Sequence, residues 1–340
     1  MKRIGIVGFG FMGKMHFRCY KDNSKAEIVA ICDADISKLK ESSQVVGNIK
    51  STEEQLDLTG INLYTDYDKM LAEANLDAVS ITLPTFMHKD FTVKALQAGV
   101  NVLCEKPMAL NEHDCLDMII EAQQNNKVLQ IGHCIRFWPE YAKTKEIVDS
   151  GKYGKVKAAS FRRLSLTPSW SWNNWLTSQS DKSGGVILDL HIHDTDYIQY
   201  LFGFPKSVRS KGVKVITNDI DHIITDYTFD DDVIVTAEGS WAMMPGFGFE
   251  MSFNIIMEKA TIVFDCTRTP SFKICPAQGD SFTPEVAPGD GYSLEIEHFL
   301  KTIEGQNLPQ ITTPAQSLDS VRIILAEKKS AITGKEVHLR

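Results

Sequence analysis

The first third of the chain alternates short apolar runs with amphipathic stretches. Ile4–Val7, Ile28–Cys32, Ala78–Leu83, Val100–Cys104 and Val128–Ile131 are mostly aliphatic and are bounded by polar residues or glycine. Runs of that length and content fit strands buried on both faces. Between them, a stretch after Gly13 and the segments Tyr67–Ala74, His88–Ala98 and Glu112–Gln124 carry helical periodicity, the last with Asn111 as its N-cap. Buried strands separated by helices predict a doubly wound parallel sheet, a Rossmann-type α/β fold. The polar stretch Ser42–Gly60 breaks this rhythm and reads as a helix end followed by a loop.

After His133 the period changes. One helix near Glu140–Val148 is followed by longer runs with period-two alternation and many β-branched residues: Val156–Leu164, Val208–Ile216, His222–Phe229, Val233–Trp241 and Phe249–Met257. The turn at Asp230–Asp232 suits an antiparallel hairpin. Late helices are expected at Ser293–Glu304 and Pro314–Ser330, the second capped by Thr313 with proline in its first turn. The chain thus divides into residues 1–133, a dinucleotide-binding domain, and residues 134–340, an α+β domain for substrate binding and oligomerisation, with an open, mainly antiparallel sheet and helices on one face.

Composition narrows the partners. A formal net charge of -8 opposes nucleic-acid binding, which needs a basic surface to release phosphate counterions, and leaves a small molecule as the expected partner. No apolar run approaches the ~20 residues that span a bilayer. The N-terminus superficially resembles a signal peptide, but Gly5, Gly8, Gly10 and Gly13 interrupt it, as a strand and glycine turn would. Seven scattered cysteines without a CxxC pair read as reduced thiols, pointing to a cytoplasmic enzyme.

Gly8, Gly10 and Gly13 form GxGxxG directly after the first strand, and Asp33 follows at the end of the second. Gly8 permits the tight turn, Gly10 lets backbone approach a pyrophosphate, and Gly13 lets helix pack on strand. Phe9, Phe11 and Met12 lie within that loop and complete the nucleotide contact. Asp33 is placed to accept hydrogen bonds from a ribose and to repel the extra phosphate of NADP, and neither Ala34 nor Asp35 neutralises it. NAD is the expected cofactor.

Two further segments hold candidate chemistry. Leu103–Pro107 ends a strand with Glu105 and Lys106, and ligands in open α/β sheets lie outside the carboxyl ends of strands. Lys106 either points to such a site or is a solvated lysine paired with Glu105. In Gly184–Asp196, a helix opening at Asp189 puts Asp189 and His193 on one face, with Asp196 close by and His191 pointing away. An imidazole beside a carboxylate can act as a general acid or base, although a capped helix with packing histidines has the same sequence. His191, His193, Asp194 and Asp196 also invite a metal reading. Histidines spaced by one residue share a face on a strand and not on a helix, so no metal is expected.

In order along the whole chain, the Gly8–Gly13 fingerprint, Asp33, Pro84–His88, Glu105–Pro107 and Gly184–Asp196 resemble the glucose-fructose oxidoreductase, inositol dehydrogenase and rhizopine catabolism family of NAD(P)-dependent sugar dehydrogenases. The resemblance implies that Pro84, His88 and Glu105 border the cofactor and that Lys106 contacts the reacting hydroxyl. It implies Asp189 and His193 as the paired acid and histidine, with His193 the base in the oxidation direction. The expected reaction is hydride transfer between NAD and a secondary hydroxyl of a sugar or cyclic polyol such as an inositol.

Trp170, Trp172 and Trp175 can stack on a sugar's apolar face or cover a loop or subunit contact. Arg136 and Trp138 follow the crossover and can border the pocket. The alternatives are an NAD-assisted glycosidase or eliminase, which the same resemblance permits, and a non-catalytic nucleotide-binding sensor. The sheet face that helices leave bare predicts a homodimer or homotetramer.

Overall fold

The short aliphatic runs of the N-terminal third become the strands of a parallel sheet. The computed structural model describes residues 1–39, 56–168, 174–178 and 180–340. Its first elements are β1 (Lys2–Val7), α1 (Phe11–Lys21), β2 (Ala26–Cys32), β3 (Asn62–Tyr64), α2 (Tyr67–Glu73), β4 (Ala78–Ile81), α3 (His88–Gln97), β5 (Asn101–Glu105), α4 (Glu112–Gln124) and β6 (Leu129–Gly132). The sheet order is β3-β2-β1-β4-β5-β6, the doubly wound arrangement expected from strand–helix alternation. Asn111 caps α4 as expected, accepting from the Asp114 amide at 2.9 Å. The edge strand β3 was not anticipated, because three residues with little burial carry no periodic pattern. Most of Ser42–Gly60 lies outside the described residues, but Leu56 and Leu58 pack against the core of this sheet.

The second run of elements is α5 (Pro139–Asp149), β7 (Val156–Leu166), the single turns α6 (Trp175–Ser178) and α7 (Ser180–Ser183), a π-helical turn (Ile187–His191), α8 (Ile192–Phe202), β8 (Ser207–Val213), β9 (His222–Thr228), β10 (Ile234–Met243), β11 (Glu250–Met257), β12 (Ala260–Asp265) and β13 (Phe272–Pro276). Helices α9 (Gly291–Ile303) and α10 (Pro314–Thr333) and the short β14 (Val337–His338) complete the chain. The eight strands run β13-β12-β11-β7-β10-β9-β8-β14, all antiparallel except β7 with β10. Period-two burial is plain in β9, where Ile223, Thr225 and Tyr227 are buried while Ile224 and Asp226 are exposed. The buried face packs an aromatic cluster in which Tyr141 meets Tyr197, Phe253 and Phe264 edge-on at 4.7, 4.9 and 5.3 Å. Strands β12 and β13 escaped the reading because only two residues separate β11 from β12 and because β13 is a short edge strand.

Two compact units result, and the division at residue 133/134 needs one amendment. The first unit is Met1–Cys134 with Asp290–Leu318, and the second is Ile135–Gly289 with Asp319–Arg340. Residues 290–318 join the first unit because α9 sends Ile296, Phe299 and Leu300 into the core of Ile4, Ile6, Phe9, Phe17 and Tyr20. Helix α9 also starts two residues before the expected Ser293. Asp290 accepts from the Ser293 amide at 2.8 Å and donates its own amide to Ser293 Oγ, a capping box that fixes the start.

Candidate active site

The glycine loop of the first unit is built for backbone approach. Gly8 has φ +86°, and a Cβ on Gly13 would lie 2.0 Å from the Gly8 carbonyl oxygen, so neither position accepts a side chain. A Cβ on Gly10 would meet nothing within 4 Å, so the surface there is open. Gly10 is also the N-cap of α1, and no side chain caps that helix end and no acid lies in its first turn. Uncapped first-turn amides and the helix dipole make an anion site, which fits a dinucleotide pyrophosphate. Phe11 and Met12 are half-buried beside it, whereas Phe9 is buried with its ring edge-on to Phe17 at 5.8 Å.

Asp33 is nearly buried and accepts the Phe9 amide at 2.7 Å and the Asp35 amide at 2.9 Å. These contacts brace the loop and hold the carboxylate at the end of β2, where a ribose would lie. The residues present therefore fit the adenosine half of NAD.

Glu105 ends β5 buried, with its carboxylate held on two sides. His16 Nε2 lies 3.0 Å from Oε1, and the Lys106 amide donates to Oε2 at 3.2 Å. Behind them His16 Nδ1 is 3.1 Å from Ser80 Oγ, which is 2.9 Å from the Tyr20 hydroxyl. Burial pushes the Glu105 pKa up, but the His16 bond and charge, with Lys106 and His88 nearby, hold it below the usual carboxylate range. Lys106 itself is half-exposed between buried Glu105 and buried Pro107. His88 is buried with Nδ1 and Nε2 each 2.8 Å from a backbone carbonyl, those of Pro107 and Leu83. Burial lowers its pKa against the pull of those carbonyls, and the ring lies between the loop at half-buried Pro84 and the segment after Lys106.

In the second unit the charged string separates by burial. Asp194 takes a bidentate pair from Arg163 at 3.0 and 2.9 Å, and Asp196 takes one from Arg136 at 2.8 Å on both oxygens. Ser320 also donates to Asp196 at 2.7 Å, and the Arg136 guanidinium stacks on Tyr200 at 4.6 Å. His191 is buried with Nε2 2.9 Å from Glu327 Oε2. Within the string only Asp189 and His193, among its acids and histidines, are half-exposed.

Three expectations change accordingly. Arg136 is 1 % exposed and committed to Asp196, which sets its guanidinium inside the unit and not toward a ligand. The helix does not open at Asp189: that residue sits within the π-turn, a geometry that recurs at functional sites. Asp196 stands with the buried pairs and not beside Asp189 and His193. His191 does project from the other side, as expected, but into the core. Trp172 and Trp170 lie outside the described residues, and Trp175 is half-buried on α6.

Sequence reasoning missed His16, Arg163, Gly239 and Glu327. Two of them carried a sign: His16 lies three residues beyond Gly13 on the packed side of α1, and Glu327 falls on the apolar face of α10, three and four residues after Ile324 and Ile323.

Residues 2–133 match the family described as "Oxidoreductase family, NAD-binding Rossmann fold", and residues 141–263 match the GFO/IDH/MocA C-terminal domain. The chain belongs to the GFO/IDH/MocA oxidoreductase family. It is 31% identical over 218 residues to 2,7-anhydro-N-acetylneuraminate hydratase of Mediterraneibacter gnavus, a match covering 63% of this chain and 54%, about half, of that relative. It is 25% identical over 322 residues to myo-inositol 2-dehydrogenase of Thermotoga maritima, covering 91% of this chain and 90% of that protein. The fold is shared with the WlbA dehydrogenase of Bordetella pertussis, solved with NADH and UDP-GlcNAcA, at a TM-score of 0.83 and 20% identity over 100% of this chain and 99% of that one. The first unit of this family member thus carries an NAD-binding Rossmann fold. No helix among the described residues is long and apolar enough to cross a membrane.

Proposed function

We propose that this protein is an NAD-dependent dehydrogenase acting on a secondary hydroxyl of a sugar or cyclic polyol. The observation that carries the reading is the separation within residues 189–196: every other acid and histidine there is buried against a partner, and Asp189 and His193 alone remain half-exposed at a π-turn. A secondary alcohol gives up hydride only as its O–H proton leaves, so a base must reach that oxygen. His193 is the proposed base. Lys106 places an ammonium against the developing alkoxide. Asp189 orients the His193 ring or holds a neighbouring hydroxyl, and Trp175 offers an apolar surface to a sugar ring. When bound, NAD supplies the hydride acceptor. The alcohol becomes a ketone, its proton passing to His193 and its C–H electron pair leaving as hydride.

The alternative reading is one in which the same oxidation is reversed within the cycle and acidifies a neighbouring C–H for elimination. A panel of inositols, pyranoses and anhydro sugars offered with NAD separates the two. One NADH formed per ketone supports the dehydrogenase, and product released without NADH supports the second. Nucleotide binding with neither product contradicts both and leaves a sensor.

We further propose that two copies pair through the bare sheet face, where Ile224 and Ile256 are exposed. Light scattering at micromolar concentration should report a dimer or tetramer, and a monomer contradicts this.

A further inference from the structure

His191 closes the π-turn in a fully buried setting. Its partner Glu327, on α10, is 0% exposed and gathers donors on both oxygens. Thr195 Oγ and the Tyr227 hydroxyl each donate to Oε1 at 2.9 Å, Thr225 Oγ donates to Oε2 at 3.1 Å, and His191 Nε2 stands 2.9 Å from Oε2. One carboxylate therefore ties together the turn, the first residues of α8, strand β9 and α10.

The opposite edge of the imidazole meets Gly239 on β10, where a Cβ would lie 2.6 Å from Nδ1 and 2.9 Å from the His191 Cβ. The sheet is recessed to admit this ring, and any side chain at residue 239 would push the turn away. An apolar filling would be the simpler way to stabilise such a spot, since buried polar groups cost free energy unless each finds partners. A positional use accounts for a carboxylate and an imidazole kept there. Asp189 lies two residues before His191 and His193 two after, and the π-turn between them accommodates one residue more per turn than an α-helix does.

We infer that Glu327 is a positioning residue: by packing against His191 over Gly239 and accepting from Thr195, it fixes the backbone segment that carries Asp189 and His193. The inference rests on the proposed chemistry for its purpose, but its test does not. In the full-length protein labelled in its histidine rings, the His193 resonance is identified by its loss in His193→Asn. Glu327→Ala should shift that resonance and move its titration midpoint. Glu327→Gln, which keeps an oxygen for Thr195 and Tyr227, should move it less. If Glu327→Ala does not fold, Glu327→Gln and His191→Gln carry the measurement. A merely structural role would lower the melting temperature while leaving the His193 titration of the folded protein unchanged, and that result overturns the inference. With any alcohol the enzyme oxidises, kcat should also fall by about tenfold to a hundredfold with the KM for NAD unchanged. Absence of any oxidised alcohol would count against the proposed function, and the His193 titration would still decide the role of Glu327.

Discussion

The glycine loop of the first unit is shaped by its backbone, and residues 189–196 of the second unit by their side-chain pairings. The loop succeeds by omission: Gly8, Gly10 and Gly13 leave amides and space, and nearly buried Asp33 braces them through the Phe9 amide. The string at 189–196 is crowded with acids and histidines, and most of that charge turns inward. Asp194, Asp196 and His191 hold the second unit together through Arg163, Arg136 and Glu327. Density of reactive residue types therefore does not set exposure: among the acids and histidines of the string only Asp189 and His193 stay half-exposed.

The strongest way to break this contrast is to remove an inward member. Asp196→Ala leaves the Arg136 guanidinium buried without its bidentate partner, and loss of one half of such a pair costs about 3–5 kcal/mol. Urea unfolding should show that loss, and a change below about 1 kcal/mol would mean that the string is not the structural tie described.

Cofactor choice tests the other side. With the Asp33 carboxylate at the ribose position, fluorescence titration should find NADH bound at least tenfold more tightly than NADPH, about 1.4 kcal/mol. Equal affinities would remove Asp33 from that role.

Acid should loosen the first unit in two steps. His88 has its pKa lowered by burial, so between the unfolded value near 6.5 and its lower native value the unfolded chain binds the extra proton. Stability then falls as pH drops through that range. Glu105, whose depressed pKa overcomes the opposing effect of burial, adds stability that is complete above about 4.3 and is lost as pH falls through its native value. Urea midpoints measured against pH should slope downward below about 6.5, and His88→Gln should flatten the upper part of that slope. An unchanged slope would show that burial does not lower the His88 pKa.

How much of this was legible differs between the two units. The parallel strands announced themselves as aliphatic runs, and the glycine fingerprint with Asp33 could be read because each residue answers a local backbone demand. The return of α9 to the first unit was hidden, since its apolar face says that it packs but not on which sheet. The π-turn was hidden too: an α-helical wheel places Asp189 and His193 on one face, and no local residue marks the wide step. What surrounds it is tertiary, the His191–Glu327 contact and the space at Gly239, which unite residues far apart in sequence. Half-exposed Lys106 could be proposed from position alone, but the His16–Glu105 brace behind it required the packed structure.

The smallest expected effect on stability leads to the most direct test. His193 is half-exposed, so His193→Ala should change unfolding free energy by no more than about 0.5 kcal/mol and leave NADH affinity within about twofold. The measurement that decides is the turnover of this folded variant with NAD and an alcohol that the wild-type enzyme oxidises. A fall of about a hundredfold or more, the scale of a lost general base, is the predicted result. Turnover within a few-fold of wild type, in protein with an unchanged melting temperature, would contradict the assignment of His193 and with it the account of the outward-facing pair.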